Sequence, residues 1–289
     1  MTFRFIADHQ AEWPVAWLCD ALEVSASGYY AWAGRDDSPA TQWREELAAV
    51  IATVHAEVKG RYGSPRMAAE LNARGHACSE NTVAGIMREH GIRAKGPRRR
   101  VRTTDSNHGL PVAGNVLDRD FAPAGPNATW SADITYVPTA DGWLYLAVVE
   151  DLFSRMIVGW AMGGAMTSRL VVDALAMAVC RRLPGAGLVA HSDRGSQYAS
   201  EHYRSFLGRQ GITCSMSRVA QCWDNAPVES FFASLKRELV HSERYTTRDV
   251  ARASIFEYVE VFYNRVRRHS PLGYVAPAEF ERTHNPTHR

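Results

Sequence analysis

The chain has 289 residues, of which 46% are hydrophobic and 22% are charged, and its formal net charge is +2. This length and composition suit a globular protein of two domains, or of one large domain with an attachment, and exclude a chain too polar to build a sizeable core. The near-neutral net charge says little about partners, so its distribution along the chain matters more.

Cysteine usage and hydropathy indicate a reducing, intracellular setting. The five cysteines are odd in number and include no CxxC pair, which argues against a disulfide framework and against a zinc site. No apolar run reaches the length of a membrane span, and the first residues lack the apolar segment of a signal peptide. We therefore expect a cytoplasmic protein with no membrane partner.

The first third of the chain is predicted to be helical. Two short helices are predicted within residues 12–33, from an apolar stripe of Trp13, Trp17, Leu18 and Leu22. They fit an ordinary helical hairpin or a helix-turn-helix. A longer helix is predicted over 40–58.

A second helical pair, 66–74 and 79–90, fits a helix-turn-helix better, since Ser79 is a plausible N-cap and Gly75 and Gly91 end the two helices. The second helix buries an apolar stripe of Val83, Ile86, Met87 and His90. Its exposed face would then carry Asn81, Arg88 and Glu89.

A basic run follows at 93–102, with no acid in it. Its cations are Arg93, Lys95, Arg98, Arg99, Arg100 and Arg102. Such a run indicates either a polyanion partner or a solvated linker. Beside the helix-turn-helix it makes residues 1–102 a DNA-binding region, with the helix-turn-helix around 65–90. The stretch 103–128, rich in Gly and Pro, is a linker.

The pattern then changes to strands, in an α/β domain over 129–289. Strands are predicted at 129–137, 143–149, 156–162, 188–191 and 212–216, and helices at 168–183, 198–210, 227–240 and 248–268. Three antiparallel strands followed by alternating strands and helices predict a mixed sheet covered by helices.

Three acids in this domain are candidates for metal binding. Asp133 lies in the first strand, Asp193 follows a strand expected beside it, and Glu229 lies in the first turn of a helix. Carboxylates are the ligands that Mg²⁺ and Mn²⁺ favour, and a pair of such ions promotes in-line phosphoryl displacement. Spacing alone is weak support, because a lone Asp at a strand end is more often a turn or cap residue.

Several motifs, in order along nearly the whole chain, resemble the second-reading-frame product (OrfB) of the IS-three family of bacterial insertion-sequence transposases, whose catalytic core is like that of retroviral integrases. The matching stretches are Ser27–Trp32, Tyr62–Arg66, Trp130–Tyr136, Asp151–Arg155, His191–Tyr198, Asp224–Phe232, Tyr263–Arg265 and Arg268–Tyr274. Together these motifs are highly specific.

The resemblance implies a ribonuclease-H-like core with a DDE triad of Asp133, Asp193 and Glu229, and the 35 residues between the last two match the family's gap. It implies two Mg²⁺ or Mn²⁺ ions and a DNA contact at Lys236. The implied activity is cleavage of element ends and transfer of the 3′ hydroxyl into target DNA. Implied partners are double-stranded DNA, further copies of the chain and the first-reading-frame protein, at the bacterial nucleoid.

Two other functions stay open: a ribonuclease-H-like nuclease, and a transposase-derived DNA-binding regulator without catalysis. Among the remaining polar residues, we expect Asp151 to be a turn residue rather than a fourth acid, and Glu238 to be solvated. Asp224 and Asn225 would support the active-site loop or cap the helix rather than bind metal. His191 would either contact a substrate phosphate or be a structural histidine at a strand end. Trp130 and Trp223 would pack in the core rather than stack on a base. Near the C-terminus, a helix ends in cations that would either face DNA or complement the helix dipole, namely Arg265, Arg267, Arg268 and His269.

Overall fold

A computed structural model describes residues 2–36, 38–96, 112–218 and 222–284. Contacts within the chain divide it into two units, residues 1–54 and 55–289. No helix in the described ranges is both long enough and apolar enough to cross a membrane.

The first unit is helical. It contains α1 (Thr2–His9), α2 (Val15–Ala21), α3 (Ala26–Ala33) and most of α4 (Pro39–Glu57). Ser25 caps α3 by accepting a hydrogen bond from the Gly28 amide. The buried cluster consists of Ile6, Cys19 and Tyr29. Both short helices predicted within 12–33 are confirmed, but the apolar stripe is wrong, because Trp13 and Trp17 are 54% and 66% exposed.

The second unit begins with the predicted helical pair, α5 (Ser64–Ala73) and α6 (Glu80–Glu89). Ser79 caps α6 as expected, since its hydroxyl accepts from the Thr82 amide at 3.1 Å. The buried face of α6 carries Val83, Ile86 and Met87, and its exposed face carries Asn81, Arg88 and Glu89. His90 is exposed, so its place on the buried stripe was wrong.

A five-stranded mixed sheet forms the centre of this unit. Its strands are β1 (Thr129–Thr139), β2 (Gly142–Asp151), β3 (Ile157–Gly163), β4 (Val189–Ser192) and β5 (Thr213–Met216). The order is β3-β2-β1-β4-β5, with antiparallel pairing among the first three strands and parallel pairing of β1 with β4 and of β4 with β5. The predicted sheet is confirmed.

The helices of this unit are α7 (Ser168–Arg182), α8 (Ser196–Ala199), α9 (Glu201–Arg209), α10 (Ala226–Glu238), α11 (Arg248–Phe256) and α12 (Pro277–His284). The helix predicted over 198–210 is broken, because Ser200 turns the chain and caps α9. The helix predicted over 248–268 continues past α11 as a π-helix, Glu257–Tyr263, and stops there. The last helix, α12, was not predicted.

Helix α7 packs closely on β3, and a glycine permits the approach. A Cβ atom at Gly159 would lie 2.2 Å from the Ala174 carbonyl oxygen and 2.7 Å from the Ala178 Cβ. Around this contact the core is apolar and fully buried, with Trp130, Val149, Val171 and Leu175 among its members. This buried apolar layer packs α7 against the sheet that carries β1 and β4.

Candidate active site

The register of two parallel strands brings Asp133 and Asp193 to the same level of the sheet. The ladder pairs Ser131 with His191 and Ala132 with Ser192, and both acids come one residue later. The Asp133 carboxylate accepts from the Ile134 amide at 2.7 Å, and that of Asp193 accepts from the Gly195 amide at 2.8 Å. The expectation that the strand before Asp193 lies beside β1 is confirmed.

Glu229 is exposed in the first turn of α10, and Asn225 fixes the start of that helix to β1. The Asn225 side-chain amide donates to the Ala132 carbonyl oxygen at 3.3 Å and accepts a hydrogen bond from the Ser131 hydroxyl. Both contacts lie within two residues of Asp133. Asn225 thus supports the helix as expected, although its side chain makes no capping bond. Sequence patterns gave no sign of the Ser131 contact.

The electrostatics of Asp133 connect the predicted residues. Burial raises the pKa of its carboxyl group well above 3.8, and the negative charges of Asp193 and Glu229 raise it further, whereas the Ile134 amide and Lys236 lower it. Burial lowers the pKa of Lys236, whose charge is favoured by Asp133. Its ammonium lies 5.1 Å from the centre of the Tyr136 ring. The fold therefore gathers Asp133, Asp193, Glu229 and Lys236 into one electrostatic site.

The donor set of this site suits a hard divalent cation. Three carboxylates that repel one another are stabilised when a cation is shared between them. Within the described ranges, no three His, Cys, Asp or Glu side chains already stand in the geometry of a metal cage. The carboxylates of Asp133, Asp193 and Glu229 interact electrostatically but are not in the geometry of a metal site. To bind one ion together, their side chains would have to rotate.

Asp224 has a structural environment that differs from that of the three acids. It is fully buried, and its carboxylate accepts from Arg218, from Arg119 at 2.7 Å and from Asn115 at 3.0 Å. The hydrogen bond from Arg218 is the main reason that its pKa lies well below the usual range. These contacts tie the segment before β1 to the loop before α10, so the expected supporting role is confirmed.

Three other residues have structural roles, which were expected for Trp130 and Asp151 and were one of two alternatives for His191. His191 is buried, and its ring nitrogens lie 2.9 and 3.2 Å from the hydroxyls of Ser215 and Ser217. Burial lowers its pKa to about 4, so the ring is neutral. Trp130 is a core residue. Asp151 ends β2, where it accepts from the Phe153 amide at 3.0 Å in a turn. The side chain of Trp223 lies outside the described part of the chain.

The expectation for Glu238 was wrong, because it is buried rather than solvated. Its carboxylate accepts from Arg267 at 2.8 and 2.9 Å and from the Tyr258 hydroxyl at 2.9 Å. Arg267 and His269 are therefore buried instead of facing DNA. Arg268 donates to Glu70 at 2.6 Å, whereas Arg265 is exposed. This network joins α10 to α5 and to the segment after the π-helix.

The basic run is only partly described. Arg93 is exposed, and the Lys95 ammonium donates to the Glu238 carbonyl oxygen at 3.1 Å and to the Ser242 hydroxyl at 2.9 Å. A DNA contact by Lys95 would have to replace these bonds. Arg98, Arg99, Arg100 and Arg102, like the predicted boundary at residue 102, lie outside the described residues.

The mixed sheet, with Asp133 within β1 and Asp193 directly after the neighbouring parallel strand β4, defines a ribonuclease-H-like, integrase-type core. In agreement, residues 123–222 and 229–284 match integrase core domain families, and residues 42–100 match an HTH-like domain family.

Two proteins of similar sequence identify the family within this class of integrase-type proteins. The chain is 44% identical over 283 residues to "Transposase InsF for insertion sequence IS3A" of Escherichia coli K12, covering 97% of this chain and 98% of that protein. It is 45% identical over 263 residues to the "Insertion element IS600 uncharacterized 31 kDa protein" of Shigella sonnei, covering 91% and 97%. The chain belongs to the IS3 family of insertion-sequence transposases.

Two solved structures are similar to the chain. One is the simian T-cell lymphotropic virus intasome in complex with a PP2A regulatory subunit, with 16% identity, a TM-score of 0.47 and coverage of 80% of this chain and 74% of that one. The other is the HTLV-2 integrase catalytic core domain in complex with magnesium, with 19% identity, a TM-score of 0.42 and coverage of 54% and 97%.

Proposed function

We propose that this transposase cleaves the ends of its element and joins the freed 3′ hydroxyl to target DNA by in-line transesterification, with Asp133, Asp193 and Glu229 as its catalytic acids. The observation that carries the proposal is the environment of Asp133. It lies one residue beyond the β1–β4 ladder, and the charges of Asp193 and Glu229 act on it. This electrostatic coupling among acids on three different elements is what supports the proposal.

The acids would hold two Mg²⁺ or Mn²⁺ ions. When bound, such ions activate the attacking oxygen and stabilise the leaving one. Lys236 would hold a DNA phosphate near the reacting end, two helical turns from Glu229 on the same face of α10. Burial lowers the pKa of this ammonium group, and the charge of Asp133 acts in the opposite direction.

The bonds balance without an external energy source. In cleavage, a water oxygen attacks a phosphodiester, the bond from phosphorus to the 3′ oxygen breaks, and the products are a 3′ hydroxyl and a 5′ phosphate. In joining, the 3′ oxygen forms a new bond to a target phosphorus, and the 3′ oxygen of the target leaves. One phosphodiester replaces another.

DNA recognition would fall to the helix-turn-helix of α5 and α6 and to the basic run. Asn81, Arg88 and Arg93 are exposed there. Phosphate contacts would dominate, so affinity should fall steeply with salt. Because two element ends must react together, we propose a homo-oligomer acting at the nucleoid in the bacterial cytoplasm, with the first-reading-frame protein as a fusion or partner.

The test is joining of a labelled element-end duplex to target DNA with Mg²⁺ or Mn²⁺. Asp193→Asn and Glu229→Gln should abolish joining while the duplex is still bound. Glu201→Gln is the matched control, because Glu201 is also an exposed acid in the first turn of a helix. Lys236→Gln should weaken binding of the end duplex about tenfold, and Lys236→Arg should restore it.

Three results would contradict the proposal. Joining by Glu229→Gln at the wild-type rate would remove Glu229 from the triad. A wild type that cuts RNA–DNA hybrids and never joins DNA would be a ribonuclease-H-like nuclease. A wild type that binds the duplex without any metal-dependent cut would be a regulator.

A further inference from the structure

A cavity borders α10, next to the candidate active site but on another face of the helix. It has a volume of about 320 Å³, and its polar lining includes Arg66, Glu150, Arg155, Ser230, Arg237 and Arg267. Ser230 and Arg237 each follow a candidate site residue by one position, which places them about 100° around the helix from Glu229 and Lys236. The cavity and the three acids therefore flank the same helix.

The charge of this cavity is strongly positive. Three guanidinium groups share the single carboxylate of Glu238: Arg267 at 2.8 Å, Arg237 at 3.5 Å and Arg66 at 3.7 Å. Arg155 is a fourth, and its nearest acid is Glu150 at 4.0 Å.

Burial and this excess of positive charge both lower the pKa values of Arg66 and His269. Burial lowers the pKa of Arg66, and the charges of Arg267 and Arg237 lower it further. Burial also holds the pKa of His269 far below 6.5, with further lowering by Arg267, Arg66 and Arg155. The ring is therefore neutral and adds no positive charge of its own. An anion in the cavity would relieve the repulsion among these arginines.

A buried acid in the wall of the cavity points to a ligand independently. Glu150 is 1% exposed, and its Oε2 atom has no hydrogen-bond partner among the described residues. Burial raises the pKa of this carboxyl group to about 8, against the effect of Arg155, so at neutral pH it is mainly protonated. A protonated carboxyl group can donate one hydrogen bond to an oxyanion. A buried polar atom without a partner is unfavourable, and such a bond would satisfy it.

We propose that this cavity binds a terminal phosphate group, and that the 5′ phosphate of a DNA strand is its source. Four guanidinium groups against one buried carboxylate match the dianion of a phosphate monoester better than the single charge of a diester within the strand. The amino end of α10, with Ala226 and Pro227 in the wall, adds a positive helix dipole. The DNA source rests on the proposed function, because hydrolytic cleavage produces a 5′ phosphate beside α10.

The first experiment measures binding of inorganic phosphate to the full chain by calorimetry. Arg237→Gln and Ser230→Asp should each weaken binding about tenfold, the first by losing a charged donor and the second by adding an acid at the cavity. The matched control is Arg209→Gln, which removes an exposed arginine at the end of α9 and should bind within about twofold of the wild type.

Two outcomes of this experiment would overturn the phosphate site. One is a wild type that does not bind phosphate. The other is an equal loss of affinity in Arg209→Gln and Arg237→Gln, which would indicate only a general charge effect.

The second experiment identifies the source of the phosphate. It compares duplexes that carry a 5′ phosphate or a 5′ hydroxyl at the cleaved end, with affinity read from fluorescence anisotropy. The wild type should prefer the phosphorylated duplex about tenfold, and Arg237→Gln should lose this preference. Equal affinity of the wild type for both duplexes would overturn the DNA source and leave free phosphate as the ligand.

Asp193→Asn separates this inference from the proposed function. It should keep the preference for a 5′ phosphate while losing joining. If Asp193→Asn still joined DNA, the triad would fail and the cavity would stand. If it lost joining but the wild type showed no phosphate binding, the cavity would fail and the triad would stand.

Discussion

Replacing Glu238 by glutamine should destabilise the protein strongly, because Glu238 is the only acid paired with Arg267 among the described contacts. Both side chains are buried, with exposed fractions of 2% and 3%. Glutamine keeps the shape of the side chain but leaves the guanidinium charge uncompensated, with Arg66 and Arg237 close by. Breaking one side of a buried pair lowers the free energy of unfolding by about 3–5 kcal/mol.

The matched control is Glu257→Gln, since Glu257 pairs with Lys59 at a similar distance, 2.9 Å, but in solvent. The side chains of Lys59 and Glu257 are 55% and 46% exposed, so we expect a change of about 0.5 kcal/mol or less. Urea unfolding followed by circular dichroism gives both values. Equal destabilisation by the two substitutions would refute the claim that burial sets the strength of the Glu238 pair.

The pH dependence of stability provides a second measurement on Glu238. Burial alone would raise the pKa of this group, but the hydrogen bonds and charge of Arg267 lower it below 4.5. A depressed carboxyl pKa contributes stability that is present above the unfolded value and is lost as the pH falls through the folded one. The wild type should therefore lose more stability below pH 4.5 than Glu238→Gln loses.

Two further substitutions test the packing of the sheet. Gly159→Ala should lower the free energy of unfolding by about 3 kcal/mol, because the new Cβ would meet the backbone of α7, whereas Gly185→Ala, with nothing within 4 Å, should be near neutral; thermal unfolding distinguishes them. His191→Gln should flatten the loss of stability between pH 6.5 and pH 4, because a buried ring with its pKa lowered to about 4 is neutral only in the folded state. An unchanged pH profile in this variant would contradict the assignment.

The sheet was predictable because each strand carries its own signal. Apolar runs such as Trp143–Val149 and turn residues such as Asp141 and Gly142 are local, and so is the serine that caps α6. The helix break at Ser200 and the π-helix depend on contacts with the rest of the fold. The exposure of Trp13 and Trp17 could not be predicted either, because an apolar stripe does not indicate which of its residues will be buried.

In the candidate site, too, the features with a local sequence signal were predictable and the long-range side-chain pairs were not. The adjacency of Asp133 and Asp193 was predicted from the order of strands and helices along the chain, which local sequence patterns indicate. The burial of Glu238 depends on Arg267, which lies 29 residues further along the chain. The role of Ser131 depends on Asn225, 94 residues away. Pairings of this kind leave no periodic signal, so a polar residue with a distant partner looks the same as a solvated one.

The β1–β4 ladder is only four residue pairs long. It determines on which face of the sheet Asp133 and Asp193 lie, and it does not depend on how many residues separate them in the sequence. Side chains alternate between faces along a strand, so one residue inserted within 189–192 would turn Asp193 towards the opposite face of the sheet. The exposed connection at Gly185–Gly187 carries no such constraint. Insertions and deletions should therefore accumulate in exposed connections of that kind. Within the ladder, only a change of two residues would keep Asp193 on the same face of the sheet.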